Sequence, residues 1–208
     1  MVMFTQKSVP PSTRETADEK AVSSAVISSA VDATTAQTAP VSEQEARAIA
    51  FFQHSVGRWQ SRRRYYTLAN DQTQEVVSDL SITFLEGDHA DLIELGKRHN
   101  LDVPMICGAK VSWESTYISP SKKPSVGETV FGIRGDVMYR DRGFATPKPV
   151  TAQYRFTGDR TMVLRTDYGG STFEEELKLI GDNYRTRQTI ISRAGEEIMI
   201  GQYLEKRM

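Results

Sequence analysis

The chain is poor in the residues that build metal centres and covalent frameworks. Of its 208 residues only Cys107 is a cysteine, which excludes an internal disulfide and any multi-cysteine zinc site. The three histidines, His54, His89 and His99, stand at no ligand spacing and are expected as solvated side chains. No apolar run approaches the ~20 residues of a bilayer-crossing helix, so no membrane span is expected. Neither sign of charge is in excess, with 26 Lys and Arg against 27 Asp and Glu. A basic face built to hold nucleic acid or anionic lipid is therefore not expected. Also missing are a Gly-rich phosphate cradle, a serine elbow and a paired-carboxylate signature. Cys107 has no histidine in its motif and precedes Gly108, so it reads as a small packed residue rather than a nucleophile.

What is present divides near residue 42. Residues 1–42 are Ser, Thr, Ala, Val and Gln in the main, as in AVSSAVISSAVDATTAQTAPVS. Such a segment buries too little apolar surface to offset its ordering entropy, and a disordered tail is expected. Acidic residues interrupt it and no basic start leads into an apolar stretch, so a secretory leader is not expected.

Residues 43–208 read as one folded body. Ser42 followed three residues later by Glu45 forms a capping box, and Ala46, Ile49, Phe52 and Val56 recur at helical spacing up to Gly57. A second helix is predicted over 88–99, with Leu92, Leu95 and, beside them, Ile93 inward. Short strands are predicted at 59–67, 75–85, 108–119, 126–134, 150–158, 161–168, 172–180, 184–193 and 196–206. Turn signals such as Gly158-Asp159, Gly169-Gly170 and Gly181-Asp182-Asn183 separate them, the pattern of an antiparallel meander. A sheet of this size curls, and closing it removes its edges. The expected fold is an all-β antiparallel barrel of about ten strands, with one or two helices and room for one small ligand.

One strand breaks the pattern of apolar-in, polar-out. In STFEEELKLI, residues 171–180, alternation puts Phe173, Glu175, Leu177 and Leu179 on a single face. A carboxylate among those neighbours needs a partner. The next strand, YRTRQTIIS, offers Arg185 and Arg187. A three-residue turn over 181–183 turns both arginines inward, whereas a two-residue turn sends them out, and periodicity leaves both registers open. Trp113 in GAKVSWESTY shares a face with Val111 and Ser115, where a flat ring either fills core or walls a pocket. Trp59, Ser61, Arg63 and Tyr65 form the inward face of the first strand. Trp59 with Arg207 near the last strand's end resembles the plug-and-lid pairing of lipocalin-like barrels.

The segments FFQHSVGRWQSRR, GAKVSWES, GFATPKPVTAQY, LRTDY, EEELKLIGDNYRTRQT and the terminal YLEKRM together resemble the S-type phycobiliprotein lyases, the CpcS/CpeS family, over about residues 45–208. That resemblance implies a lipocalin-like up-and-down barrel related to fatty-acid-binding proteins. It implies a chromophore lyase that takes a linear tetrapyrrole, phycocyanobilin or phycoerythrobilin, and joins it by a thioether to a cysteine of an apo-phycobiliprotein subunit. The bilin is substrate, and no permanent cofactor or metal is implied. Matched position by position, it implies ligand contacts at Arg63, Trp113, Arg185 and Arg187, and catalytic carboxylates at Glu175 and Asp167. It implies a cytoplasmic or plastid-stromal protein that acts as a homodimer, with a paralogous lyase as heterodimer partner, or alone. A departure stands beside Arg63, where Tyr65-Tyr66 replaces the His-His pair common in the family. A lipocalin-like carrier of bilin or lipid, without transferase activity, shares the same interior.

Overall fold

The structure is a computed structural model, described here for residues 40–118 and 123–208. The expected tail lies, as far as residue 39, outside the described residues. The body begins with α1 (Glu43–Ser55), β1 (Gly57–Thr67), β2 (Gln72–Glu86) and α2 (Ala90–Arg98). The strands β3 (Cys107–Tyr117), β4 (Ser125–Arg134), β5 (Val137–Arg140), β6 (Val150–Gly158) and β7 (Thr161–Tyr168) follow. The last three are β8 (Ser171–Ile180), β9 (Tyr184–Arg193) and β10 (Glu196–Arg207). Every strand pairs antiparallel with its chain neighbour, and β10 pairs with β1, so the ten strands form a closed barrel. This is the expected all-β barrel, with two helices.

The capping box at Ser42 forms in both directions. Glu45 reaches further. It is buried and accepts from the Gly135 amide at 2.8 Å, which ties the first turn of α1 to the β4–β5 turn. The helix's buried face carries Ala48, Phe51, Phe52 and Ser55; of the predicted stripe Phe52 is buried and Ile49 packs partly buried against the core, whereas Ala46 and Val56 are exposed.

The end of the barrel beneath α1 is sealed. Trp59 has no solvent exposure and donates from Nε1 to the Ser55 carbonyl at 2.9 Å. The Arg207 guanidinium lies 4.2 Å from the centre of the indole and donates to the carbonyls of Asp182, Val56 and His54. The lid pairing is present. α2 packs outside the wall, burying Leu92 and Leu95 against Leu85 and Met105, while Ile93 stays exposed. Gly132 admits this layer, because a Cβ there would collide with the Met105 sulfur. At the end of α2, Arg98 donates to the Asp141 carbonyl and His99 Nε2 to that of Arg140, so the helix pins the end of β5.

Two findings go beyond the sequence expectations. β5 was not predicted: at four residues it is too short to show a period of two, yet it completes the ring between β4 and β6. The turn after β8 has three residues, with Gly181 at φ 56, and pairs Leu179 with Arg185 and Leu177 with Arg187. Both arginines therefore face inward.

Candidate functional site

The open end of the barrel leads into a cavity of about 570 Å³, walled mostly by apolar and aromatic side chains. That volume lies in the range of small-molecule sites. Two ion clusters sit on its inner wall. In the first, Glu175 is bonded by Arg187 at Oε1 and by Arg140 Nη1 at Oε2, the latter at 3.1 Å. In the second, Arg185 donates to Oε2 of Glu205, while Ser61 donates to Oε1 at 3.1 Å and itself accepts from Arg63 Nε at 3.2 Å. Tyr203 joins the two, its ring 5.0 Å from the Arg187 guanidinium and 5.6 Å from that of Arg63. Tyr65 meets Tyr203 edge-on at 5.7 Å, so the tyrosine in the place of a histidine packs into the same wall.

Burial pushes the Glu175 carboxyl up, but Arg187 and Arg140 outweigh it and hold the group below the ordinary carboxylate range. Glu205 follows the same logic, with burial opposed first by Arg185 and then by Arg187 and Arg63. Burial works against the charge of Arg187, and the Glu175 carboxylate more than restores it. Both clusters are thus ionised. Four interior guanidinium groups, those of Arg63, Arg140, Arg185 and Arg187, face the two carboxylates of Glu175 and Glu205. Two positive charges remain uncompensated among these six. In addition, Nε of Arg140 and of Arg187 is buried without a hydrogen-bond partner.

Of the residues singled out in the sequence, Glu175, Arg63, Trp113, Arg185 and Arg187 all line the cavity. The partnership differs in part from the expected one, because Arg187 engages Glu175 whereas Arg185 is taken by Glu205. Asp167 is elsewhere. Met162, Leu164 and Thr166 are the buried residues of β7, so alternation turns Asp167 outward, where it is more than half exposed and bonded to Arg165 and Thr172. The structure corrects its expected place in the pocket. Cys107 is fully buried in the wall, and burial, with Glu45 and Glu86 nearby, pushes its thiol up to about 12. Such a thiol is not a nucleophile.

Three pocket residues escaped the sequence reading. Arg140 lies on the unpredicted β5. Glu205 and Tyr203 lie on β10, whose polar residues occur on both faces and give no contrast to a lone inward carboxylate. The available signal was register: β10 runs antiparallel to β9, and Glu205 stands directly opposite Arg185.

No group of three or more His, Cys, Asp or Glu among the described residues could hold a metal ion. No described helix is long and apolar enough to cross a membrane.

Comparison with known proteins places this geometry in a family. The sequence profile of the family described as "CpeS-like protein" matches residues 47–208. The chain is 57% identical, over 166 residues, to "Putative phycocyanobilin lyase CpcS 2" of a Nostoc species, an alignment covering 79% of this chain and 92% of that protein. It is 33% identical over 153 residues to "Chromophore lyase CpcS/CpeS" of Thermosynechococcus vestitus, with 70% and 84% covered. Among solved structures, the S-type phycobiliprotein lyase CPES of Guillardia theta superposes with a TM-score of 0.67 at 24% identity, covering 80% of this chain and 98% of the other. That likeness supports the barrel fold. By profile, sequence and fold together, the chain belongs to the CpeS-like family.

Proposed function

We propose that this protein is a bilin lyase: it binds one linear tetrapyrrole in the barrel and attaches it through a thioether to a cysteine of an apo-phycobiliprotein subunit. The observation that carries this reading is the pair of uncompensated positive charges in an otherwise apolar cavity. A bilin is a flat conjugated body with two propionates, and it matches both properties. Propionates suit guanidinium groups, which bind carboxylates bidentately. Arg63, Arg185, Arg187 and Arg140 are the donors for them.

Glu175 takes the other role. Its carboxylate, held ionised by two arginines, accepts from pyrrole N–H groups and is not a proton donor. Trp113 offers a flat apolar surface for the rings. The bond-forming step is an addition. The client's thiol sulfur bonds to the exocyclic ethylidene carbon of ring A, and the proton from the thiol ends on the adjacent ring carbon; nothing leaves. The lyase supplies orientation, so that sulfur adds at one carbon and one face. The thiol comes from the client, in keeping with the inert Cys107. Asp167, on the outer wall, is left out of the chemistry. Cytosol or plastid stroma, where such clients fold, is the expected setting.

Reconstitution tests the reading. The protein is co-expressed with a bilin-producing pathway and an apo-phycobiliprotein, with and without a paralogous lyase, and the denatured client is assayed for covalent pigment in acid urea. A covalent adduct is expected; bound pigment with no adduct under either condition identifies a carrier instead. Glu175→Gln should retain the barrel but lower adduct yield about tenfold or more, the scale of one lost charged hydrogen bond. Unchanged yield and stereochemistry remove Glu175 from the mechanism. Arg185→Ala should weaken bilin retention, read as loss of induced absorbance on titration.

A further inference from the structure

Gly127 stands in the middle of the first half of β4 with no backbone reason to be glycine. Its φ is not in the left-handed region, and glycine inside a strand weakens the strand. Its register explains it. Gly127 pairs directly with Trp113, which lines the cavity, and alternation with Ser125 and Thr129, which line it too, puts Gly127 on the inner face. A Cβ on Gly127 would meet the indole at three atoms, Cζ2 at 2.5 Å, Cε2 at 2.9 Å and Cη2 at 3.1 Å. The ring therefore lies across the β4 backbone, flat against the wall, in space that any other side chain would fill.

The position matters because of what it faces. In the ring of ten strands, β3 and β8 are five apart, so Trp113 and Glu175 stand on opposite walls of the lumen. The indole and the Glu175–Arg187–Arg140 cluster line the same cavity, so the seat of the indole sets part of the width of the slot left for a ligand there. A ring lifted off the wall narrows that slot by the thickness of the displacement.

We propose that Gly127 is a positioning residue: by seating Trp113 flat on β4 it sets the width of the slot, and with it the bilin conformer that the barrel accepts. This deepens the bilin reading and rests on it for its second half, while its first half, the seating of the ring, stands on the apo protein alone. The two halves are tested separately.

The first readout is intrinsic fluorescence of the full chain without pigment. The chain has two tryptophans, and Trp59 is sealed in the closed end, so a change reports on Trp113. Gly127→Ala should shift the emission maximum, with far-UV circular dichroism unchanged. The second readout is titration with phycocyanobilin. Gly127→Ala should weaken binding about tenfold, the size of a lost aromatic contact, and alter the ratio of the red to the near-ultraviolet band, which reports how extended the bilin is. The double variant Gly127→Ala with Trp113→Phe removes the colliding atoms, and it should match the Trp113→Phe single variant in affinity and band ratio. Wild-type emission in Gly127→Ala overturns the seating of the ring. A double variant as impaired as the sum of the two singles, or misfolded where Trp113→Phe folds, shows that the Cβ acts through something other than the indole and overturns the proposal. If the wild-type protein binds no bilin, the functional reading fails while the emission shift still decides the seating.

Discussion

Glu175 and Glu205 keep their charge in a low-dielectric interior because arginines reach them, Arg187 and Arg185 from the neighbouring β9 and Arg140 from β5, three strands from β8. For both, the folded pKa lies below the ordinary carboxylate value. A depressed carboxylate pKa contributes stability that is fully present above the unfolded pKa of about 4.3 and is lost as pH falls through the folded value. Urea unfolding should thus give nearly constant stability from about pH 7 down to about pH 5.5, then a decline below about pH 4. Glu175→Gln leaves Arg187 and Arg140 without their shared anion. It should be less stable at neutral pH by about 3 kcal/mol and show a shallower acid decline. An acid limb identical to that of the wild-type protein would assign the transition to other carboxylates. Glu175 was legible in the sequence because it is the lone polar residue on an apolar face, and that contrast survives any uncertainty of register. Arg187 was legible only as one of two candidate partners in one of two registers, since one residue of turn length decides which way the side chain points.

The elements differ in how they are held, and the closed end shows it. Arg207 closes the barrel by stacking on Trp59 and by donating to three carbonyls that belong to α1's end and to the β8–β9 turn. Arg207→Ala gives up those bonds and the stacking together. It should lower stability by about 2–3 kcal/mol, seen as a reduced urea midpoint, at the usual ~1 kcal/mol per hydrogen bond. Nine of the ten strands were legible because each is long enough to alternate and ends at a turn residue. β5 was not, since its partners and the pinning of its end by Arg98 and His99 are tertiary facts. The same holds for part of α1's buried face, since the contacts of Glu45 with Gly135 and Arg134 are tertiary and leave no mark in the apolar periodicity.

At the scale of the molecule, net charge and local charge point in different directions. The chain as a whole carries a formal charge of −1, while the barrel holds an excess of positive charge inside. A ligand of matching charge should stabilise the fold by linkage, about 2.7 kcal/mol at a hundredfold excess over its dissociation constant. Phycocyanobilin should raise the thermal midpoint accordingly, and its dimethyl ester, equal in shape but without the two charges, should raise it far less. Equal shifts for acid and ester would show that the guanidinium groups do not select the ligand.

The seam between the first and last strands has a temporal consequence. Gly201, Tyr203 and Glu205 belong to β10, and β1 has no second neighbour until that strand arrives. During synthesis, a half-made chain holds Arg185 without its anion and leaves β1 as a bare edge, so under the proposed function bilin capture is expected only once β10 has joined the sheet. A chain truncated before β10, at residue 195, is expected to leave the curl open and to retain no added bilin.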